Sequence, residues 1–175
     1  MAWLSIKEFI IDLIKLIVVV VVILFLMIYV GSVTQVVGNS MYSTLEDGDV
    51  LILNKFKYRF FDIERGDIIS LENDDTKYLI KRVIGLPGDT VSIQNSTLYI
   101  NGEVYVESYL EEGLVYDDFE LSSLGYDVIP DDMYLVLGDN RPDSVDSREI
   151  GLISKDDVIG KISFRIWPLN KLAVF

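Results

Sequence analysis

Residues 78–106 read YLIKRVIGLPGDTVSIQNSTLYINGEVYV, a series of short apolar runs separated by turn residues. Two glycines and a proline break the series at 85–89, and Asn101 and Gly102 lie between two further apolar runs. An Asn-Gly pair in that position is the strongest short signal for a β-hairpin. Runs of the same kind lie at 49–55, 133–137 and 158–167. Because no helical period follows residue 31, the pattern predicts a mainly β fold of antiparallel sheets.

The segment 107–132 between these runs is acidic and weakly patterned. No Lys or Arg occurs between Arg82 and Arg141, and the whole chain carries a net charge of -13. We expect a small acidic insertion in the sheet, at about 94–130, with a solvated surface. The negative charge disfavours binding to nucleic acid.

The amino-terminal part is dominated by an apolar run, LIVVVVVILFLMIYV at 16–30. Extended back to residue 10, this run would form a helix about 31 Å long at about 1.5 Å per residue, which is enough to cross a bilayer. It lacks the polar stripe of a core helix and the small-residue exit of a cleaved signal peptide. We therefore expect an uncleaved transmembrane anchor helix over 10–31.

The charges beside that run predict its orientation. Lys7 and Lys15 precede or open the run, and the next basic residue is Lys55. Because positive residues favour the cytoplasmic side, we expect residues 1–9 in the cytoplasm and residues 32–175 outside it, as one domain of a single-pass protein of the cell membrane. The chain contains no cysteine, so the core of this domain must hold without disulfides.

The absence of both cysteine and histidine restricts the chemistry further. It excludes the Ser-His-Asp triad, cysteine proteases and His or Cys metal sites, and we expect no cofactor. Ser40, in the turn VGNSMYSTL at 37–45, is the candidate nucleophile. Its hydroxyl needs a base, and without histidine the remaining candidate is a deprotonated lysine. Lys81, within the apolar run YLIKRVI, is the best placed.

A lysine acts as a base at neutral pH only if its pKa falls from about 10.4, and burial among apolar side chains lowers that pKa. In a strand, Lys81 and Arg82 point to opposite faces, and both faces are apolar here. The pattern therefore leaves open which cation points at Ser40. Arginine does not act as a base, which favours Lys81. The alternative is a strand lysine whose stem is buried while its amine reaches solvent.

Four segments follow the apolar run in a fixed order: VGNSMYSTLEDGDVLILNK at 37–55, RGDII at 65–69, YLIKRVIGLPGD at 78–89 and GDNRPDSVDSRE at 138–149. In content and order they resemble the bacterial type I signal peptidases, also called leader peptidases. The resemblance implies a coiled antiparallel β-sheet peptidase domain of the signal peptidase and LexA-like type. It also implies a Ser-Lys endopeptidase that removes signal peptides from secretory preproteins. The implied cleavage follows a small residue that has another small residue two positions earlier.

The same resemblance implies roles for individual residues. Ser40 would attack the peptide bond, and Lys81 would take the hydroxyl proton and later give it to the leaving amine. Ser144 would orient the lysine amine. The other implied positions are Asp146, Arg148 and Arg82 in a supporting charge cluster and Met41 and Leu79 in the substrate pockets.

Several positions depart from the commonest pattern of that family. Gly38 stands where some members have a serine that helps to hold the oxyanion. The oxyanion hole is therefore expected to use the Ser40 backbone N–H and a second donor that the sequence does not identify. Ser43 replaces a frequent proline. Pro142 and Asp143 replace the usual Asp-Asn, and a carboxylate at Asp143 would raise the pKa of a nearby lysine.

Two other functions remain open at this point. LexA-type repressors share the fold and a Ser-Lys pair, but they cleave their own Ala-Gly bond, and this sequence contains no Ala-Gly pair. A membrane-anchored β domain that only binds, with a degenerate pair, differs from a peptidase only in an activity assay. For a peptidase, we expect Ser40 and Lys81 in an apolar groove facing the lipid bilayer, where the signal segment of a preprotein lies.

Overall fold

The structure is a computed structural model that describes residues 2–29, 31–73 and 77–175; side chains are not described for 1–5, 26–30, 59 and 73–77. A long helix, α1 (Ala2–Tyr29), comes first, and a short helix, α2 (Ser147–Ile150), lies near the end. The described strands are, in chain order, β1 (Gly31–Gln35), β2 (Val50–Asn54), β3 (Ile68–Asn73), β4 (Lys77–Gly85), β5 (Val91–Gln94), β6 (Thr97–Ile100), β7 (Glu103–Val104), β8 (Phe119–Glu120), β9 (Met133–Leu137), β10 (Ile153–Ser154), β11 (Val158–Trp167) and β12 (Ala173–Val174).

The larger of two sheets has the strand order β1-β2-β11-β3-β4-β9-β10, with β12 also paired to β11. All of its strand pairs are antiparallel. Side chains alternate between its faces, as in β2, where Leu51 and Leu53 are buried and their neighbours only partly so. The mainly antiparallel β fold that the sequence predicts is confirmed.

The smaller sheet has the order β7-β6-β5-β8. Ile100 of β6 pairs with Glu103 of β7, so that only Asn101 and Gly102 connect the two strands. The φ angles of these two residues are 55° and 80°. Positive angles at both positions are typical of a tight two-residue hairpin turn. The hairpin predicted at Asn101 and Gly102 is confirmed.

The segment expected as an acidic insertion, 94–130, includes most of this smaller sheet. Its apolar side chains form a buried cluster with residues of β9; the cluster includes Ile93, Leu98, Tyr116, Phe119, Leu121, Leu135 and Leu137. The acidic segment therefore brings apolar core of its own and packs against the end of the larger sheet.

Helix α1 differs in extent from the transmembrane helix expected over 10–31. It begins at Ala2, and Gly31 opens strand β1 instead of ending the helix. The side chains at 6–25 are exposed, and those at 26–30, the last part of the expected span, lie outside the described residues. Within the part of the chain that the structure describes, no helix has the length and apolarity needed to cross a membrane.

Strand β4 lies inside the larger sheet, between β3 and β9. Lys81 is opposite Ile69 of β3, and Arg82 is opposite Leu137, the last residue of β9. The loop that follows β9, residues 138–146, consequently begins beside the two cations of β4.

Candidate active site

Ser40 lies in the turn that connects β1 to β2. Gly38 enters this turn with a φ of 89°, a backbone angle that favours glycine. Its N–H donates to Asp47 Oδ1 at 2.8 Å. The N–H of Tyr42 donates to the carbonyl of Asn39 at 3.0 Å, which closes the turn around Ser40.

The loop after β9 holds this turn from the other side. Asn140 donates from its backbone N–H to the Ser40 carbonyl at 3.0 Å and from Nδ2 to the Asn39 carbonyl at 3.1 Å. Gly138 lies so close to the turn that a side chain there would collide with the Ser40 carbonyl oxygen and with Ser144 Oγ. Only glycine permits this approach of the two backbones.

The amine of Lys81 and the hydroxyl of Ser40 meet where these segments converge. Lys81 Nζ lies 2.7 Å from Ser40 Oγ. Lys81 is only 1% exposed, so its amine does not reach solvent as a strand lysine on the surface would. Burial lowers the pKa of Lys81 to about 8, because the buried ammonium ion loses its hydration. The neutral amine, which is the basic form, is therefore accessible near neutral pH.

Three charged side chains modulate this effect of burial. The Asp146 carboxylate raises the pKa of Lys81, the Arg148 guanidinium lowers it, and the Asp139 carboxylate raises it. Asp146 is fully buried and pairs with Arg148, with Nε 2.8 Å from Oδ1. Because the two charges of this pair oppose each other at the amine, burial remains the main cause of the lowered pKa.

The charge cluster expected from the sequence forms two separate pairs. Arg82 does not pair with Asp146; it donates to both carboxylate oxygens of Asp139, at 2.8 and 2.6 Å. The Arg148 guanidinium bonds Asp146 and also donates to the Arg141 carbonyl at 2.7 Å. Both pairs therefore fix the loop 138–146 beside Lys81.

Ser144 lies beside this centre, but its hydrogen bonding differs from the expectation. Its hydroxyl oxygen is buried, and no described residue forms a hydrogen bond with it. The hydroxyl lies against Gly138, next to the Ser40 carbonyl. The expected hydrogen bond between Ser144 and the Lys81 amine is thus not found among the described residues, and the amine bonds Ser40 instead.

The two expected pocket residues lie in different surroundings. Met41 is 1% exposed and packs in the apolar core beneath the turn, with Leu45 and Leu51. Leu79 is half-buried, lies two residues before Lys81 on the same strand face, and packs against a different cluster. Leu79 therefore offers more surface to a bound peptide than Met41 does.

The Ser40 backbone N–H and the side chains of Ser43, Pro142 and Asp143 complete the surroundings of the pair. Among the described residues, none accepts a hydrogen bond from the backbone N–H of Ser40. Ser43, Pro142 and Asp143 are exposed. The carboxylates that act on the Lys81 amine are those of Asp146 and Asp139.

Sequence reasoning missed the four consecutive residues that connect β9 to the site. Their contacts hold the Ser40 turn and Arg82, and they are Gly138, Asp139, Asn140 and Arg141. The signal that could have found them is the motif GDNR itself, which carries part of the family resemblance.

The arrangement can transfer the Ser40 hydroxyl proton to a neutral amine 2.7 Å away. This transfer is the first step of acyl transfer in a serine hydrolase that uses lysine as its base. Within the residues that the structure describes, no group of acidic side chains could hold a metal ion. The fold, the 2.7 Å contact between Ser40 Oγ and Lys81 Nζ and the lowered pKa of Lys81 form the arrangement that is typical of a serine hydrolase of the Ser-Lys class.

Comparison with known proteins gives the family. The family described as signal peptidase, peptidase S26, matches residues 10–167. A signal peptidase I of Bacillus caldolyticus is 40% identical over 156 residues, which are 85% of this chain and 86% of that protein. A signal peptidase IB of Staphylococcus aureus is 40% identical over 146 residues, 77% of this chain and 76% of that protein. The chain belongs to the signal peptidase family, peptidase S26.

A solved structure is similar as well. The crystal structure of a signal peptidase I from Enterococcus faecalis V583 is 38% identical and superposes with a TM-score of 0.53. The match covers 58% of this chain and 97% of that one. The family resemblance drawn from the four sequence segments is confirmed.

Proposed function

We propose that this protein is a serine endopeptidase of the signal peptidase I type, which removes N-terminal signal peptides from secreted preproteins by cutting after small residues. Membership of the family gives the reaction class, and relatives at 40% identity carry that name. Within this chain, the observation that carries the proposal is the 2.7 Å contact between Ser40 Oγ and the buried amine of Lys81.

In the first half of the proposed reaction, the neutral Lys81 amine accepts the proton of the Ser40 hydroxyl. Ser40 Oγ forms a bond to the carbonyl carbon of the scissile peptide, and the carbonyl electrons move to the oxygen. The Ser40 backbone N–H donates to this oxyanion, which stabilises charge that develops only in the transition state. When the intermediate collapses, the C–N bond breaks and the Lys81 ammonium gives its proton to the leaving amine.

In the second half, the signal peptide is an ester on Ser40 Oγ. Water attacks the ester carbon while Lys81 accepts one of the water protons. The ester bond then breaks, and Lys81 returns that proton to Ser40 Oγ. Both residues end as they began, so the cycle balances without a cofactor.

We assign supporting roles to the charged and polar residues around the pair. The Asp146–Arg148 pair holds the loop beside the amine, and Arg82 holds Asp139 at the start of that loop. The Ser144 hydroxyl, buried and without a partner among the described residues, is assigned to orient the Lys81 amine once the serine proton has moved.

Substrate pockets are assigned to the apolar side chains next to the pair. Leu79 shares a strand face with Lys81, and Met41 follows Ser40 in the chain. These apolar side chains are assigned to receive the two small residues that precede the cut, the one at the cleaved bond and the one two positions earlier.

Membrane attachment is part of the proposal. The sequence at 16–30 has no charged residue, and the described side chains of α1 are exposed instead of packing on the sheets. Lys7 and Lys15 lie on the amino-terminal side, which favours a cytoplasmic N-terminus. The proposed topology is residues 1–9 in the cytoplasm, a single span from residue 10, and an extracytoplasmic peptidase domain at 32–175 that includes the acidic insertion at 94–130.

The test is cleavage of a purified preprotein by detergent-solubilised protein across pH, with Ser40→Ala and Lys81→Met as variants. We expect the wild type to cut once, after a small residue, and both variants to lose at least about 1,000-fold in kcat. Because only the neutral amine is a base, the rate should rise with pH through the Lys81 pKa of about 8.

The outcomes separate the alternatives. A folded wild type that leaves good preproteins uncut contradicts the proposal and favours a binding module. Cleavage by Lys81→Met at the wild-type rate assigns the base to another residue. Cleavage within the chain itself, without cleavage of preproteins, favours the self-cleaving LexA-type reaction.

A further inference from the structure

Glu107 is a buried carboxylate that the proposed mechanism does not use. It follows strand β7 in the acidic segment, and its side chain is only 6% exposed. It accepts two hydrogen bonds from the Arg141 guanidinium, one of them from Nη1 at 3.0 Å. The hydroxyls of Tyr109 and Tyr116 also donate to it, at 2.6 and 3.1 Å. Its charge and both oxygens are therefore fully engaged.

One route from Glu107 leads to the nucleophile. Arg141 is 1% exposed, and its Nε donates to the Gly138 carbonyl at 3.0 Å, within its own loop. That loop contacts the Ser40 turn through Asn140 and through the close approach of Gly138. Glu107 therefore holds the Arg141 guanidinium in place. Through Arg141 it also holds the loop 138–141 against the Ser40 turn.

A second route leads to the strand that carries the base. The Tyr109 ring, whose hydroxyl bonds Glu107, lies under the Arg82 guanidinium at 3.9 Å from its centroid. Arg82 also pairs with Asp139 and directly follows Lys81 in β4. The two routes start from one carboxylate; one ends on the turn that carries Ser40, and the other ends on Arg82, the neighbour of Lys81 in β4.

An acidic residue that served only as part of a solvated surface would be exposed, whereas the Glu107 side chain is buried. Burying a carboxylate and a guanidinium removes both from water, and such a pair adds little net stability compared with apolar side chains. Good geometry with every polar atom paired is what makes it tolerable, and that same geometry specifies position. The smaller sheet also packs on the larger one through a buried apolar cluster, so the ion pair is not the only contact between them.

We infer that Glu107 is a positioning residue for the reaction, which holds the loop 138–141 against the Ser40 turn and the Arg82 side chain beside Lys81. The inference rests on the proposed function, because it concerns the alignment of the same Ser40–Lys81 pair. It gives the acidic segment a part in catalysis through contact with the loop, without contact with substrate.

The test compares Glu107→Gln with two control variants in cleavage of the same preprotein by the detergent-solubilised full chain. Glu112→Gln makes the same chemical change at an exposed position five residues further on. Leu98→Ala removes a buried apolar side chain from the cluster of the smaller sheet, which lowers stability while every hydrogen bond of Glu107 and Arg141 can still form. Each rate is divided by the fraction of folded molecules. Unfolding curves of parallel samples give that fraction.

Glu107→Gln should lower kcat by about 100-fold and leave KM unchanged, because a small misplacement of reacting groups affects the chemical step and not ground-state binding. Glu112→Gln should stay within about twofold of the wild type. Leu98→Ala should keep the wild-type kcat per folded molecule. A role in stability alone would instead give Glu107→Gln and Leu98→Ala the same kcat.

The inference is overturned if folded Glu107→Gln keeps the wild-type kcat, or if Leu98→Ala loses as much. Should Glu107→Gln fail to fold, Glu107→Asp keeps the charge with one methylene less; a lowered kcat then supports the inference and a wild-type kcat overturns it. An inactive wild type with an intact fold is a separate result, which contradicts the proposed function itself.

Discussion

Lys81 is almost completely buried, although an ammonium ion is most stable in water. Its aliphatic stem lies within the larger sheet, and its amine meets the Ser40 hydroxyl at 2.7 Å. Burial that disfavours the charged form opposes folding at neutral pH, and the same burial makes the amine a usable base. At pH 7, with a pKa of about 8, about one molecule in ten has the neutral amine.

Replacing this lysine should separate its effect on stability from its effect on activity. The fall of the Lys81 pKa from 10.5 to about 8 corresponds to about 3 kcal/mol against folding while the group is protonated in the unfolded chain. Loss of the hydrogen bond to Ser40 offsets about 1 kcal/mol of this. We therefore expect the free energy of unfolding of Lys81→Met to be about 2 kcal/mol higher than that of the wild type at pH 7. The variant should be more stable and inactive.

The lowered pKa of Lys81 also makes the stability of the wild type depend on pH. Between pH 8 and 10.5 the unfolded chain keeps a lysine proton that the folded protein has released, so this group makes wild-type stability rise with pH. The difference in free energy of unfolding between Lys81→Met and the wild type should therefore become smaller between pH 7 and 10. Urea unfolding followed by tryptophan fluorescence measures it. Lys155→Met, at a partly exposed position, serves as the control. A Lys81→Met protein less stable than the wild type at pH 7 would contradict the argument.

At the scale of residues, the sequence predicts a Ser-Lys pair but does not predict which cation of strand β4 points at Ser40. The absence of histidine and cysteine left a Ser-Lys pair, and the apolar strand made burial of Lys81 plausible. Both faces of that strand are apolar, so alternation could not decide whether Lys81 or Arg82 points at Ser40. That choice depends on the partners supplied by other segments, since Arg82 pairs with Asp139, 57 residues away in the sequence.

At the scale of elements, Asp67 joins three segments of the larger sheet. It lies just before β3 with its side chain 4% exposed, and Lys161 of β11 bonds it at 2.7 Å. Lys57, in the short helical turn after β2, approaches to 3.1 Å, and the Tyr58 hydroxyl donates at 2.8 Å. Burial alone would raise the pKa of Asp67, but the hydrogen bonds from Lys161 and Tyr58 lower it overall.

Asp67→Asn should lower the free energy of unfolding by about 3 kcal/mol at pH 7, because it leaves two partly buried ammonium groups without their carboxylate. Since the folded-state pKa lies below 3.8, the stability from Asp67 is complete above that pH and is lost as the pH falls through the folded-state pKa. The difference in free energy of unfolding between Asp67→Asn and the wild type should therefore be smaller at acidic pH. Urea unfolding at pH 7 and pH 3 measures it, with exposed Asp62→Asn as the control. Equal stability of the two variants at pH 7 would show that the carboxylate is not needed.

The elements themselves were predictable where a local residue specifies the backbone. Gly102 marked the β6–β7 hairpin, whereas the β5–β6 hairpin turns through Asn95 and Ser96, at φ of 50° and 58°, without any glycine to mark it. Ion pairs between distant segments leave no such local mark. The pair of Glu107 and Arg141 joins residues 34 positions apart, and only the packing of the smaller sheet on the larger one brings them together.

At the scale of the whole molecule, the chain has two sheets packed on shared apolar clusters and one helix outside them. None of the three buried clusters among the described residues includes a residue of α1. The described side chains of α1 are exposed, and its apolar sequence continues to residue 30. The helix therefore contributes little to the fold of the domain at 32–175, and its proposed role is attachment to a lipid bilayer.

Removal of residues 2–29 should consequently separate catalysis from membrane attachment. We expect the shortened chain to fold and to cleave a short peptide containing the scissile bond at the wild-type rate, because Ser40, Lys81 and their partners lie outside the deleted part. In flotation with lipid vesicles, the full chain should rise with the lipid and the shortened chain should stay behind. Full-length Ser40→Ala is the control, since it should float although inactive. If the shortened chain still floats, attachment resides in the β domain; if it cleaves no peptide although folded, α1 contributes to the site itself.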